Sequence, residues 1–209
     1  MSSMQKHTTL AVLALAALAP LSAQAPQGWK MRVDRSTSAS DPDAPGAIKF
    51  VTMGAGFHAT NPQAAVYWNP VNTAQGSYTA KGTFTLMKPS GHTNYYGLVV
   101  GGSGLEGADQ NYLYFLVGQD GTFLVKRRDG MGTSNVKGKT ASDAVKKPDD
   151  GGKSVNALAI RVGPHKVDFV VNGVVVDSEA KGAVGKTDGI YGIRVNHQLE
   201  VHIDDFGKS

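Results

Sequence analysis

Cysteine is absent from this 209-residue chain. No disulfide can staple it and no thiolate can serve as nucleophile or metal ligand, so burial and sheet hydrogen bonds must hold it together. Attachment to a lipid through an N-terminal cysteine is excluded for the same reason. Glutamate is scarce, with only Glu106, Glu179 and Glu200. Charge of one sign is scarce too: 21 Lys and Arg against 17 Asp and Glu give a net charge of +4. The basic residues are scattered apart from Lys126-Arg127-Arg128 and Lys146-Lys147. Recognition of nucleic acid needs a basic stripe or a recognisable motif, so no nucleic-acid partner is expected. No apolar run reaches the length of a membrane span; the stretch from Thr9 to Ala19 is too short and is followed by Pro20. Long helical patterns are lacking as well.

What the N-terminus does carry is an address. Lys6 supplies a positive start, Thr9 to Ala19 an apolar stretch, and Ala23-Gln24-Ala25 a small-x-small cleavage site. Residues 1–25 therefore read as a cleavable export leader cut after Ala25, and the product as secreted or periplasmic. Roughly 180 residues would remain, enough for one domain with a real core. Residues 26–46, PQGWKMRVDRSTSASDPDAPG, are rich in Pro, Ser and Asp and read as a partly ordered lead-in lending Trp29 to the surface. The domain proper is expected over 47–209. Nothing in the pattern sets an oligomeric state.

From there the apolar period is that of strands. Tyr78, Ala80, Gly82, Phe84 and Leu86 alternate with polar residues, as do Leu158, Ile160 and Val162, then Val167, Phe169 and Val171. Asp120-Gly121, Asn172-Gly173 and Asp188-Gly189 supply the positive-φ residues that tight turns need. KVDFVVNGVVVDS predicts a type I′ hairpin. About a dozen short strands with no helix between them predict an all-β, two-sheet antiparallel sandwich. The polar stretch from Asp129 to Lys153 breaks the pattern; a short helix near Ser142 to Lys147 and a flap over one mouth of the sandwich are equal alternatives.

Three motifs fail on context. Gly102-Ser103-Gly104-Leu105-Glu106-Gly107 matches G-x-G-x-x-G, but it leads into another strand, whereas a dinucleotide loop needs a helix N-terminus facing the pyrophosphate. The Gly-Lys-Thr triplets at Gly138 and Gly185 have Thr133 and Ala180 where a phosphate loop needs glycine. Around Ser103 the nucleophile elbow lacks its last glycine.

The C-terminal NHQLEVHIDDFGKS crowds His197, Glu200, His202, Asp204 and Asp205 together. In a strand, Leu199, Val201 and Ile203 share the core face, which leaves Glu200, His202 and Asp204 on an ordinary half-exposed face. No transition metal is expected there, and His197 is expected to donate to nearby backbone. No cofactor is called for; Asp204 and Asp205 leave room for calcium alone.

A different constellation suggests a ligand. YLYFLV is apolar on both faces: Leu113, Phe115 and Val117 take the core, and Tyr112 and Tyr114 point to a sheltered concave surface. In GIYGIRVN the core takes Tyr191, Ile193 and Val195, which turns Gly192, Arg194 and Asn196 the other way. Aromatic rings for sugar C–H faces, with amide and guanidinium groups for hydroxyls, make a saccharide site. Trp68, His92, Asn94 and Arg128 are candidates to join it; the alternative is that the tyrosines are ordinary sheet residues with wetted hydroxyls.

In order, YYGLVVGG, NYLYFLVGQDGTFLVKRRDG, NALAIRV, VDFVVNGVVV and GIYGIRVNHQLEVHIDDF resemble a concanavalin A-like lectin/glucanase domain. More narrowly, they resemble the bacterial exported domains grouped with 3-keto-disaccharide hydrolases. The resemblance runs from about Ala47 to Phe206 and implies a jelly-roll sandwich with a saccharide-binding concave sheet. It does not carry over a catalyst: laminarinase-type members have an E-x-D-x-x-E strand, and none of the three glutamates here begins one. The expectation is thus an exported carbohydrate-binding or interaction domain using the concave sheet. The alternative is a saccharide-processing hydrolase of the 3-keto-disaccharide type.

Overall fold

The computed structural model describes residues 26–209; the expected leader, 1–25, lies outside them. Among the described residues fourteen strands follow in chain order: β1 (Lys30–Asp34), β2 (Lys49–Met53), β3 (Gly56–Asn61), β4 (Ala64–Ala74) and β5 (Tyr78–Lys88). Next come β6 (Tyr95–Ser103), β7 (Asn111–Gly118), β8 (Thr122–Asp129), β9 (Gly132–Ala141) and β10 (Ser154–Val162). The last are β11 (Lys166–Val171), β12 (Val174–Ala180), β13 (Gly189–Val195) and β14 (Leu199–Lys208). They form two seven-stranded sheets, ordered β1-β4-β13-β6-β7-β8-β9 and β12-β11-β10-β5-β14-β3-β2. Every pairing is antiparallel.

The period-two reading holds strand by strand. Leu113, Phe115 and Val117, then Tyr191, Ile193 and Val195, then Leu199, Val201 and Ile203 all enter the core between the sheets. There the residues of β7 and β13 meet Phe84, Leu86, Leu158, Ile160 and Phe169 from the opposite sheet, to which β14 itself belongs. Each such side chain, fully buried, contributes about 1.5–3 kcal/mol. The Asn172-Gly173 turn has φ of 50° and 85°, the two positive values a type I′ hairpin requires.

Two segments differ from expectation. Within the supposed lead-in, Lys30–Asp34 pairs with β4 as an edge strand. Just before it, Trp29 packs on Phe50, Phe57 and Phe206 at ring-centroid distances of 5.3, 4.6 and 5.5 Å. In the polar stretch after Asp129, the chain turns at once into β9, which pairs with β8. Neither helix nor free flap forms there: Asn156 accepts from the Lys146 amide and donates to its carbonyl, and Asn172 donates to the Ala144 carbonyl. β9 is exposed along most of its length, so packing never required the apolar alternation that would have announced it.

The outer faces of the two sheets differ, and this positions the site. Buried and part-exposed residues alternate in β5 and β10, as expected of a wetted outer face. β7 is buried on both sides over Tyr112 to Gly118, and β13 over Tyr191 to Val195.

Candidate functional site

On that outer face, pairing fixes which side chains meet. Lys30 lies opposite Trp68, Arg32 opposite Val66 and Asp34 opposite Ala64. Val66 in turn faces Arg194 of β13, and Tyr112 of β7 faces Arg128 of β8. Val66, Trp68, Val99, Leu105, Tyr112, Tyr114, Leu116 and Leu124 form a second apolar cluster, separate from the core. The Ser103–Gln110 connection closes down over it. Lys30 pairs with Glu106, and Arg32 donates to the Gly107 carbonyl.

Asp34 is the hub. Its Oδ2 accepts from Arg194 Nη1 and, at 3.2 Å, from Arg128 Nη2; Arg32 Nε lies 3.5 Å from Oδ1. Burial pushes the Asp34 carboxyl up, but the charge and hydrogen bond of Arg194, with Arg128 and Arg32 behind it, outweigh burial and hold it below its ordinary value. For Arg194 burial works against the charge, and Tyr112, Asp34 and Tyr114 more than restore it, so the guanidinium stays charged. Arg194 Nη1 also donates to the Tyr112 hydroxyl at 3.0 Å, and its Cζ stands 5.3 Å from the Tyr114 ring centre.

The sequence-derived candidates divide accordingly. Tyr112, Tyr114, Arg128 and Arg194 come together. The tyrosines face the predicted side, yet Tyr112 is 0% and Tyr114 5% exposed, so neither ring offers a stacking surface to a sugar; they bed Arg194 instead. Trp68 shares the layer at 2% exposure and is likewise no platform. Gly192 beside it does make room: a Cβ there would lie 2.4 Å from the Tyr67 carbonyl oxygen and 3.3 Å from Trp68 Cβ.

Asn196 sits at the end of β13 and helps line a cavity of about 170 Å³ with Asp34, Ser36, Asn94, Arg194 and His197. Its Oδ1 is buried without a hydrogen-bond partner. A larger hollow of about 380 Å³, walled by Pro45, Pro62, Lys88, Pro89 and Glu200 among others, lies elsewhere; no comparable set of charged side chains converges on it.

His92, from the β5–β6 connection, joins a group the sequence did not assemble. His197 was expected to bond backbone; instead its Nδ1 lies 3.1 Å from Asp43 Oδ1 and its Nε2 3.0 Å from Asp41 Oδ1. His92 Nε2 is 2.7 Å from that same Asp41 oxygen and 3.1 Å from His197 Nε2. A strap between β1 and β2 delivers both aspartates. Ser36 donates its amide to Asp43, Gln198 its amide group to the Pro42 carbonyl, and Gln63 to the Ala44 and Gly46 carbonyls. Asp204 and Asp205 stand at the bulge near the end of β14. Asp204 accepts from His202 at 3.2 Å, while Asp205 is exposed at a bulge with φ of 51°.

Asp34, Asp41 and Asp43 went unnoticed in the sequence. For Asp34 a signal existed: in KMRVD, Met31 and Val33 alternate with Lys30, Arg32 and Asp34, the period of a half-buried strand. For the strap aspartates there was none.

Two antiparallel sheets with this strand order and one shared core make the fold a concanavalin A-like jelly roll. The structure is similar to the carbohydrate-binding module CBM66 from Bacillus subtilis, at 10% identity over 87% of this chain and 95% of that one, TM-score 0.62. It is similar to a Bacillus subtilis protein of unknown function with a galectin-like fold, at 15% identity over 86% and 88%, TM-score 0.56. It is also similar to the Bacillus licheniformis β-glucanase, at 12% identity over 87% and 92%, TM-score 0.52. No family model matches the chain, and no curated protein matches it.

Proposed function

We propose that the protein is an exported saccharide-binding domain whose site is the polar cavity at the end of β13. One observation carries this reading: Arg194, held by Asp34 and Tyr112, lines a cavity with Asn196, whose Oδ1 is buried without a hydrogen-bond partner. A charged donor locked in place and an unsatisfied acceptor on residues lining one cavity suit the hydroxyls of a sugar, since the donor needs no further ordering on binding. The cavity is well under the roughly 300 Å³ at which sites for drug-sized ligands begin, so the ligand is one terminal sugar unit of a chain. The carbohydrate-binding module and the β-glucanase among the similar structures are in keeping with this reading.

The test is a glycan array followed by calorimetry. Wild type should bind a subset of glycans through a terminal residue, and Asn196→Ala should weaken that binding at least tenfold while melting normally. No binding to any glycan, or binding indifferent to Asn196, refutes the proposal. A second reading, hydrolysis of 3-keto-disaccharides, draws on the carboxylate–imidazole pairs Asp41–His92 and Asp43–His197 beside the cavity, which have the composition of general acids and bases. Release of monosaccharide from a keto-disaccharide panel would favour it over binding alone.

A further inference from the structure

The strap, the β5–β6 connection and the β13–β14 turn meet at Asp41, His92 and His197. Three donor atoms, Asp41 Oδ1 and the two imidazole Nε2 atoms, stand 2.7, 3.0 and 3.1 Å apart. The hydrogen bond behind His197 bears on where its proton sits. Asp43 accepts at His197 Nδ1, so that nitrogen bears a hydrogen, and in the neutral ring Nε2 then presents its lone pair. The Asn94 amide nitrogen stands 3.0 Å from His92 Nε2. With both rings neutral and protonated at Nδ1, two imine lone pairs and a carboxylate oxygen crowd one point. They repel one another unless something positive lies among them.

We propose that Asp41, His92 and His197 bind a divalent first-row transition-metal ion. An ion about 2.0–2.1 Å from nitrogen and oxygen donors sets neighbouring ligands of an octahedron roughly 2.9 Å apart and those of a tetrahedron about 3.4 Å apart. The three spacings found here bracket the octahedral value. Two imidazoles and a carboxylate are a borderline donor set, suited to zinc, manganese, cobalt or nickel and unsuited to calcium, which takes oxygen ligands. Asp43 behind His197 is the outer carboxylate that commonly fixes the tautomer of a metal-binding histidine. Ser36 holds it through a backbone amide, so the arrangement is anchored beyond the ligands themselves. Three protein ligands leave coordination positions for water or for a ligand, and His197 and Asp41 also line the cavity of Arg194 and Asn196.

The inference does not depend on the saccharide reading, because its test uses metal alone. The protein is stripped with chelator, exchanged into metal-free buffer, and titrated calorimetrically with Zn²⁺, Mn²⁺, Co²⁺ and Ni²⁺, with Ca²⁺ as comparison. One equivalent of at least one transition ion should bind, and a bound Co²⁺ should show ligand-field absorption bands. His92→Ala should weaken binding at least tenfold. That side chain is 42% exposed, so its loss leaves the fold intact. Asp43→Asn should weaken binding about 10–100-fold without removing a ligand. His202→Ala, on the outer face of the other sheet, should change nothing. Failure of all four transition ions to bind, or binding equally tight in His92→Ala, would overturn the proposal and assign the short spacings to histidines protonated on both nitrogens.

Discussion

Replacing Asp34 with alanine removes the carboxylate on which Arg194 and Arg128 converge. The side chains of Asp34 and Arg194 are 12% and 10% exposed, so water has little access to the charge left behind. Breaking a buried ion pair from one side costs about 3–5 kcal/mol, because the surviving charge stays desolvated. Arg194 keeps the Tyr112 hydroxyl and the face of Tyr114, which together offset about 1–2 kcal/mol. The expected net loss is about 3 kcal/mol. For a domain of roughly 180 residues that lowers the melting temperature by about 6–12 °C. Urea and thermal unfolding followed by tryptophan fluorescence would read it, since Trp68 lies in the same buried layer. The double variant Asp34→Ala with Arg194→Met should cost less than the sum of the single changes, because it strands no charge. A loss below about 1 kcal/mol for Asp34→Ala, or simple additivity in the cycle, would show that the cluster is solvated and the reasoning wrong.

The same carboxylate predicts a pH dependence. Its pKa in the folded state lies below the ordinary 3.8, so its stabilisation is complete above pH 3.8 and is withdrawn as pH falls from there through the lower folded value. Asp34→Asn should therefore show a shallower loss of stability in that acid window; an unchanged slope would assign acid unfolding to other groups. Gly192→Ala should cost about 1–3 kcal/mol, because its Cβ would meet the Tyr67 carbonyl oxygen, a backbone atom that cannot swing aside. A red-shifted Trp68 emission should accompany that loss, and a neutral Gly192→Ala would mean that β4 and β13 are not so closely set.

How far the sequence could be read follows from what each residue had to satisfy. Leu113, Phe115 and Val117 announce their orientation because one face of β7 must meet the core, and the residues between them are thereby turned outward. That logic placed Tyr112, Tyr114, Arg194 and Asn196 correctly by face. It could not say whether the face was open. Here the cover comes from Lys30, Arg32 and the Ser103–Gln110 connection, the last held by contacts spanning more than seventy residues of chain. No local period encodes such a contact.

The strap shows the other kind of silence. DPDAPG has the composition of any polar loop, and its proline and glycine favour a turn without saying what the turn delivers. Its conformation is fixed by partners far along the chain: Gln63 on one side, His197 and Gln198 on the other. Asp41 and Asp43 thus acquire their chemistry only once β13 and β14 have paired with their sheets and set the turn between them. The strands whose period was legible thus serve to aim a stretch whose own period says nothing. The two ends of the site are accordingly exposed to different losses. Substitutions at Asp34 should act first on the stability of the sandwich, whereas those at Asp41 or His92, whose side chains are 49% and 42% exposed, should leave the sandwich intact.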